Sequence, residues 1–376
     1  MALTGCCRGA GWRFLGAAGS RRRRCLCSGS RPALGLGPFC SDAADVPRAP
    51  ERPPSCAQSG AHKEAAAGPP VSRRVQELRR LSQGLQRVHP NVLAKVLKSG
   101  LLFHNEDWVV VDKPYGVPME AAPGRGTGMQ EVLPILPKML YGMTAQPLHI
   151  CHRLDKDNTG AMILARDEKS ALALNRRFRM HEVIKKYWVV TVGIPVPSEG
   201  LIDIPVIERE VSNPRKHFKM GLAPVFRVGD MEGTMLRARQ NRAAHSAVTQ
   251  YRVLESSGGT ALVELQPLTG VKHQVRVHLA LALGCPILGD HKYSKWNSLE
   301  PQKLPEGVLR RLGLTQPKSR HVPLHLHSRQ LRVPAARGEG EEGTEQQPLL
   351  NVICRPPRYF LQTLKHLRIQ WPEVTP

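Results

Sequence analysis

The chain has 376 residues, with 54 Lys and Arg against 31 Asp and Glu, a formal net charge of +23. Residues 1–75 hold 12 basic and 4 acidic side chains, which leaves 42 against 27 for the remainder, so most of the positive excess belongs to the body of the chain. Such a field attracts a phosphate backbone or an anionic membrane surface, and no stretch approaches the continuous apolar length needed to span a bilayer.

Before Asp42 there is no acidic residue, while Arg8, Arg13, Arg21 to Arg24 and Arg31 stand among Ala, Gly, Ser and Leu. Arg-rich, acid-poor leaders of this kind point to import into the mitochondrial matrix. A nuclear-type basic cluster at Arg21 to Arg24, or a disordered RNA-binding arm in a nuclear or cytoplasmic protein, are the alternatives. Residues 1–74 are therefore set aside as a disordered leader and transit peptide, with cleavage expected ahead of the Pro-rich stretch at Pro47 to Pro54. Six of the nine cysteines lie there, and Cys151, Cys285 and Cys354 are scattered beyond it. That distribution is no disulfide framework and fits a reducing compartment.

From residue 75 to 98 the pattern becomes helical, with Val75, Leu78, Leu81, Leu85 and Val88 at helical spacing and Arg79, Arg80 and Arg87 on the solvated face. Pro90 interrupts it, which predicts two short helices packed on the rest of the chain. Residues 99–376 form the main domain. Trp108 to Val111 is a short apolar strand that ends at Lys113-Pro114, Ala161 to Ala165 is another, and Glu168 to Met180 is a helix with Ala171, Leu174 and Phe178 on one face. Tyr187 to Val192 is rich in strand formers. Ala247 to Leu254 and Thr260 to Leu265 flank a hairpin signal at Glu255 to Gly259. Val271 to Leu283 has helical periodicity and stops at Gly284, and Arg358 to Leu367 is a final helix. The basic, glycine-interrupted Asn213 to Arg242 and the acidic Arg337 to Gln347 read as insertions. The mosaic is α+β.

The segment His149 to Arg166 sets Asp155 between the cations Arg153 and Lys156, ahead of the turn-forming Asn158-Thr159-Gly160. Nearby positive charge favours the charged form of a carboxyl group, and such a group can serve as nucleophile or base. An ordinary surface salt bridge is the other reading of the same spacing.

His152 to Gly160 resembles the HRLDxxTSG signature of RluA-type RNA pseudouridine synthases. Val110 to Gly116 is similar to that family's first strand and KPxG turn, Lys185 to Val189 to its K-x-Y segment, and Thr269 to Leu279 to its TGRTHQIRxHL segment. Gly289 to Tyr293 resembles GDxxY, and Pro323 to His327 the late LHA segment. The resemblance implies the pseudouridine synthase fold, a long and largely antiparallel sheet with flanking helices and a central cleft. It also implies an enzyme that isomerises specific uridines in structured RNA. Residues 75–98 are too short for the whole S4 domain that many bacterial relatives carry.

That reaction breaks the bond between ribose C1′ and uracil N1, turns the freed base, joins C5 to C1′ and sheds the C5 proton. It involves no redox or phosphoryl step, so no cofactor and no metal is expected. The resemblance assigns the essential carboxylate to Asp155, which either attacks C1′ or abstracts the C2′ proton. It assigns the residue facing the base to Tyr187 and the cation paired with the carboxylate to Arg276. In a helix over Val271 to Leu283, Lys272, Arg276 and Leu279 share a face, and Lys272 is expected to meet RNA. Arg153 is expected to fill the place of an extruded base, and Lys113 to order its turn or meet phosphate. Without the resemblance, Tyr187 reads as a core strand residue and Arg276 as a solvated helix cation.

Val271-Lys272 replaces the family's Arg-Thr, Asn158-Thr159 its Thr-Ser, and Met119 stands where many relatives have histidine. His149, His152, His321, His325 and His327 lack the acid or cysteine that would complete a metal site. The expected partner is RNA: mitochondrial rRNA or tRNA, with mRNA as a further class. The alternative function is a catalytically silent RNA-binding or mitochondrial ribosome-assembly factor.

Overall fold

The computed structural model describes residues 70–372 apart from 86, 122–125, 213–215, 225, 229–234, 238–240 and 335–348. Of the expected leader, residues 1–69 lie outside the described residues, as does the acidic Arg337 to Gln347 stretch, while 70–74 already belong to a helix.

Two helices come first, α1 (Pro70–Gln83) and α2 (Pro90–Ser99), on either side of the break expected at Pro90. His89 caps α2 by accepting the Asn91 N–H on Nδ1 at 3.2 Å, and Pro90 sits at the first helical position where its missing N–H costs nothing. Both helices pack on the domain. Val75 and Leu78 of α1 join Leu312, Phe360 and Leu364, while Leu93, Ala94 and Leu97 of α2 join Val109 and Val111.

The core is a ten-stranded sheet. Its strands are β1 (Leu101–His104), β2 (Trp108–Lys113), β3 (His149–Ile150), β4 (Thr159–Ala165), β5 (Ile184–Val192), β6 (Glu199–Asp203), β11 (Val248–Ser257), β12 (Thr260–Pro267), β13 (Leu326–Val333) and β14 (Leu350–Ile353). Two hairpins stand apart: β7 (Val206–Ser212) with β8 (Lys216–Leu222), and β9 (Phe226–Val228) with β10 (Met235–Arg237). Much of the expected insertion is therefore built as paired strands. The main order is β1-β2-β4-β13-β5-β12-β11-β6, with β14 on β13 and β3 on β4.

Both faces are buried, because side chains alternate along a strand and each face has its own cover. Val109, Val111, Met162 and Leu164 face the α2 side, while Trp108, Val110, Ile163 and Ala165 face α4 (Glu168–Arg179). The hairpin between β11 and β12 is tighter than its sequence suggests. Glu255 to Ser257 remain in the strand past a bulge, and Gly258 and Gly259, both with positive φ, make the turn alone.

β4 and β13 form the parallel pair at the middle of the sheet, His327 opposite Thr159 and Ser328 opposite Gly160. Gly160 has φ +109°, and a Cβ there would run into the Ser328 backbone oxygen. Only glycine lets the strands meet at this point. The loop 151–158 enters the sheet here, and this places Asp155.

The expected helix over Val271 to Leu283 differs in detail. His273 is left-handed (φ +56°), so α5 starts only at Gln274, runs to Val277, and continues as a π turn over His278–Ala282. Gln274 accepts the Val271 N–H at 3.0 Å and the Thr269 hydroxyl at 2.8 Å, holding the approach to the helix. Two further helices follow, α6 (Glu306–Leu312) and α7 (Arg358–Leu367), and the short α3 (Leu136–Tyr141) lies between β2 and β3.

Candidate active site

The loop that carries Asp155 is organised from beneath. Lys113, at the end of β2, is fully buried and donates to the carbonyl oxygens of Asn158 (3.0 Å), Asp155 and Lys156 (3.2 Å each) and Pro114 (3.3 Å). Burial pushes its pKa down to about 7, against the pull of Asp157, Asp155 and Asp112. Gly116 N–H adds a bond to the Lys156 carbonyl at 3.0 Å, so the KP-x-G turn and the Asp155 loop are one unit. Of the roles expected for Lys113, ordering the turn is the one seen. Its ammonium is fully buried among these carbonyls.

Asp155 stands at the rim of a cavity of about 810 Å³, its side chain 31% exposed. Neither flanking cation pairs with it. The Asp155 carboxylate meets Arg276 instead, Nη1 lying 3.3 Å from Oδ2. The same guanidinium donates through Nε and Nη2 to both oxygens of Asp290, each at 2.8 Å. Asp290 is fully buried and also accepts the N–H groups of Tyr293 (3.0 Å) and Lys292 (3.1 Å). Burial alone would raise the Asp290 carboxyl; Arg276 and these N–H groups hold it below the usual range. Arg276 is thus fixed before it reaches Asp155, which a cation on a solvated face is not. His273 provides a second neighbour, Nε2 lying 3.6 Å from the same Oδ2.

Tyr187 comes from β5, opposite Ser328 and Leu265 of the neighbouring strands, and lines the cavity beside Asp155. Burial raises its phenol, and the negative charge of Asp155 raises it further. Arg153, Arg179 and Lys185 supply positive charge to the wall; Leu154, Phe178, Val275 and Leu326 supply apolar surface. The space suits a nucleoside-sized group between one carboxylate, one phenol and several cations.

Asp155, Tyr187 and Arg276 are therefore brought together from three separate elements. Arg153 is exposed on the cavity wall with no hydrogen-bond or ion-pair partner among the described residues. Lys272 is not on a helical face with Arg276, because the left-handed His273 separates it from α5; it is exposed and paired with Glu208 at 3.0 Å.

The other histidines have local work. His152 accepts the Ile163 N–H on Nε2 at 3.0 Å and stacks on Phe178, and burial pushes it down to about 3. His325 bonds the Pro323 carbonyl and Thr363, and His327 bonds Thr159 and the Cys354 carbonyl. Asp290, His273 and Tyr293 were visible only as members of the GDxxY-like and THQIR-like segments. Nothing in their spacing shows that they meet.

A family model described as RNA pseudouridylate synthase matches residues 107–281. The mitochondrial pseudouridylate synthase RPUSD4 of Homo sapiens is 52% identical over 310 residues, covering 82% of this chain and 80% of its own. Its counterpart from Bos taurus is 49% identical over 352 residues, 92% and 91% of the two chains. The mitochondrial mRNA pseudouridine synthase RPUSD3 of Bos taurus is 30% identical over 298 residues, 74% and 80%. Among solved structures, human RNA pseudouridylate synthase domain containing 4 superposes with a TM-score of 0.66 at 49% identity, over 76% of this chain and 98% of that one.

Proposed function

The chain belongs to the RluA-type RNA pseudouridine synthases, and from that premise we propose that Asp155 carries out the isomerisation of uridine in structured mitochondrial RNA. The protein is an RNA pseudouridine synthase of the mitochondrion. The specific proposals are its residues and its substrates.

The observation that carries the assignment is the linkage Asp290–Arg276–Asp155: a locked guanidinium holding one oxygen of a carboxylate at a cavity rim. A target uridine extruded from its helix presents ribose to that carboxylate. Asp155 then either bonds to C1′ as N1 departs or takes the C2′ proton to leave a glycal. In both routes Arg276 keeps the carboxylate aimed.

The detached uracil turns against the Tyr187 ring, whose face offers stacking. Tyr187 is a neutral phenol at neutral pH, so it aids loss of the C5 proton as a hydrogen-bonding relay beside the anion of Asp155. Arg153, unpaired on the wall, takes the place of the extruded base or grips the adjacent phosphate. Lys272, already paired with Glu208, adds little to RNA attraction.

The RNA class is mitochondrial rRNA or tRNA, with mRNA as the third class to be scored. Transcriptome-wide mapping of pseudouridine after depletion, with rescue by the wild type or by Asp155→Ala, tests the assignment. Sites in mitochondrial rRNA or tRNA are expected to disappear and to return with the wild type alone. Full return with Asp155→Ala refutes the role of Asp155 and revives an assembly function.

A further inference from the structure

Asp155 is approached by two donors, and both address the same oxygen. Arg276 Nη1 and His273 Nε2 lie 3.3 and 3.6 Å from Oδ2, while Oδ1 has no partner among the described residues. The second donor is itself held from behind. His273 Nδ1 is 2.6 Å from the Tyr293 hydroxyl, and that hydroxyl also receives the backbone N–H of Met220 at 3.3 Å.

These contacts decide where the hydrogens are. The Met220 N–H can only donate, so the phenol oxygen accepts there. Tyr293 is buried, and for its own hydrogen the described acceptor within reach is His273 Nδ1. Nδ1 is then the lone-pair nitrogen, and Nε2 carries the N–H that points at Asp155. The opposite tautomer sets a nitrogen lone pair against a carboxylate oxygen and leaves a buried phenol hydrogen unreceived, which is unfavourable on both counts. Burial, with the charges of Arg276, Lys292 and Lys272, pushes the imidazole down to about 4 against the pull of Asp155, so the ring is neutral with one N–H.

We infer that Tyr293 and His273 form an oriented hydrogen-bond chain that pins Asp155 Oδ2 and reserves Oδ1 for the ribose. His273 and Tyr293 are positioning residues: neither needs to touch substrate. Two further observations fit this role. His273 keeps a left-handed backbone (φ +56°), a conformation costly for a non-glycine residue, and that conformation turns its ring toward Asp155. Tyr293 supports the other donor as well. Its backbone N–H holds Asp290, and its ring lies 5.0 Å from the Arg276 guanidinium. One residue thus braces both arms that converge on Oδ2. The 3.6 Å separation is longer than a hydrogen bond and is expected to close when substrate excludes water.

The inference rests on Asp155 being the reacting carboxylate, so its test includes Asp155→Asn. The assay is single-turnover release of tritium from mitochondrial rRNA and tRNA transcripts labelled at uridine C5, with RNA affinity measured in parallel. Tyr293→Phe and His273→Asn are expected to lower the rate by about tenfold to 100-fold while affinity stays within about threefold, because a displaced reacting group costs rate before binding. Asn tolerates the left-handed backbone but is too short to reach Oδ2. His273→Gln restores a donor that needs no tautomer partner, so it is expected to run about tenfold faster than His273→Asn. In the Gln background Tyr293→Phe is expected to change the rate by less than about twofold, the non-additivity of residues acting as a unit.

An equal cost of Tyr293→Phe in the wild-type and Gln backgrounds overturns the chain. So does a Gln variant no faster than Asn, a comparison that stands even if Tyr293→Phe does not fold. An active Asp155→Asn removes the premise instead. An inactive Asp155→Asn beside fully active His273 and Tyr293 variants sinks this inference alone.

Discussion

Arg276 meets Asp290 edge to edge, two parallel 2.8 Å hydrogen bonds inside the protein, and has one Nη1 left for Asp155. The buried partner fixes the guanidinium plane, and the cavity-facing partner receives its remaining direction. Lysine cannot reproduce this, since an ammonium is a point charge without a planar fork. Arg276→Lys is expected to reduce single-turnover pseudouridine formation by about 100-fold or more with RNA affinity little changed. Comparable rates for Lys and Arg at this position would remove the geometric role.

Asp290→Asn breaks the pair from its buried side. The expected loss is about 3–5 kcal/mol of unfolding free energy, the usual penalty for leaving one member of a buried pair behind. Urea unfolding at neutral pH measures it. An unchanged midpoint would mean that Asp155 alone satisfies Arg276.

Acid should weaken the fold in two stages with identifiable owners. Burial pushes the His327 and His273 imidazoles down to about 4 and that of His152 to about 3, so between about pH 6.5 and 4 the unfolded chain binds protons that the folded chain does not. Stability falls as pH drops through that window. Asp290 acts lower: its carboxyl is depressed in the folded state, so its contribution is complete above about pH 4 and is lost as pH falls through the folded value. Urea midpoints measured from pH 7 to pH 3 should show both slopes. His327→Gln should remove its share of the first slope and Asp290→Asn should reduce the second.

Lys113→Met removes the donor to four carbonyls while keeping much of the chain's volume. A destabilisation of about 1–3 kcal/mol is expected, because the Asn158 carbonyl loses its buried donor. Activity should fall further than stability explains, since two of those carbonyls belong to Asp155 and Lys156. Thermal unfolding and rate, measured below the variant's transition, separate the two effects.

Arg153 and Lys272 should behave differently although both are exposed cations. Arg153→Ala is expected to slow modification of a structured transcript by about tenfold and a short unstructured RNA much less, because only the former loses stacking when its base leaves. Lys272→Ala should change affinity by only a small factor, since Glu208 already neutralises it. Equal effects on both RNAs would place Arg153 outside the extrusion step.

The motifs made the gathering of Asp155, Tyr187 and Arg276 legible, because each belongs to a short segment with its own local structure. The continuous apolar runs Trp108 to Val111 and Ala161 to Ala165 likewise marked β2 and β4 as strands. What stayed hidden depends on contacts between distant segments. Lys113 reads as ordering its own turn or meeting phosphate, and its hold on the 151–158 loop exists only once that loop folds over it. Lys272 and Arg276 read as one helical face until the left-handed His273 cuts the helix between them. The Asp290 anchor and the Tyr293 hydroxyl carry no periodicity at all, since their roles exist only in side-chain geometry.

The central claim is that the Asp155 carboxylate reacts with the sugar. Purified wild type and Asp155→Asn, at saturating C5-tritiated transcript, test it in a single turnover. Asn keeps the shape, so RNA affinity should stay within about threefold, while tritium release should fall by about 10⁴-fold or more, the loss of the attacking group. Release by Asp155→Asn at a rate near the wild type would contradict the account.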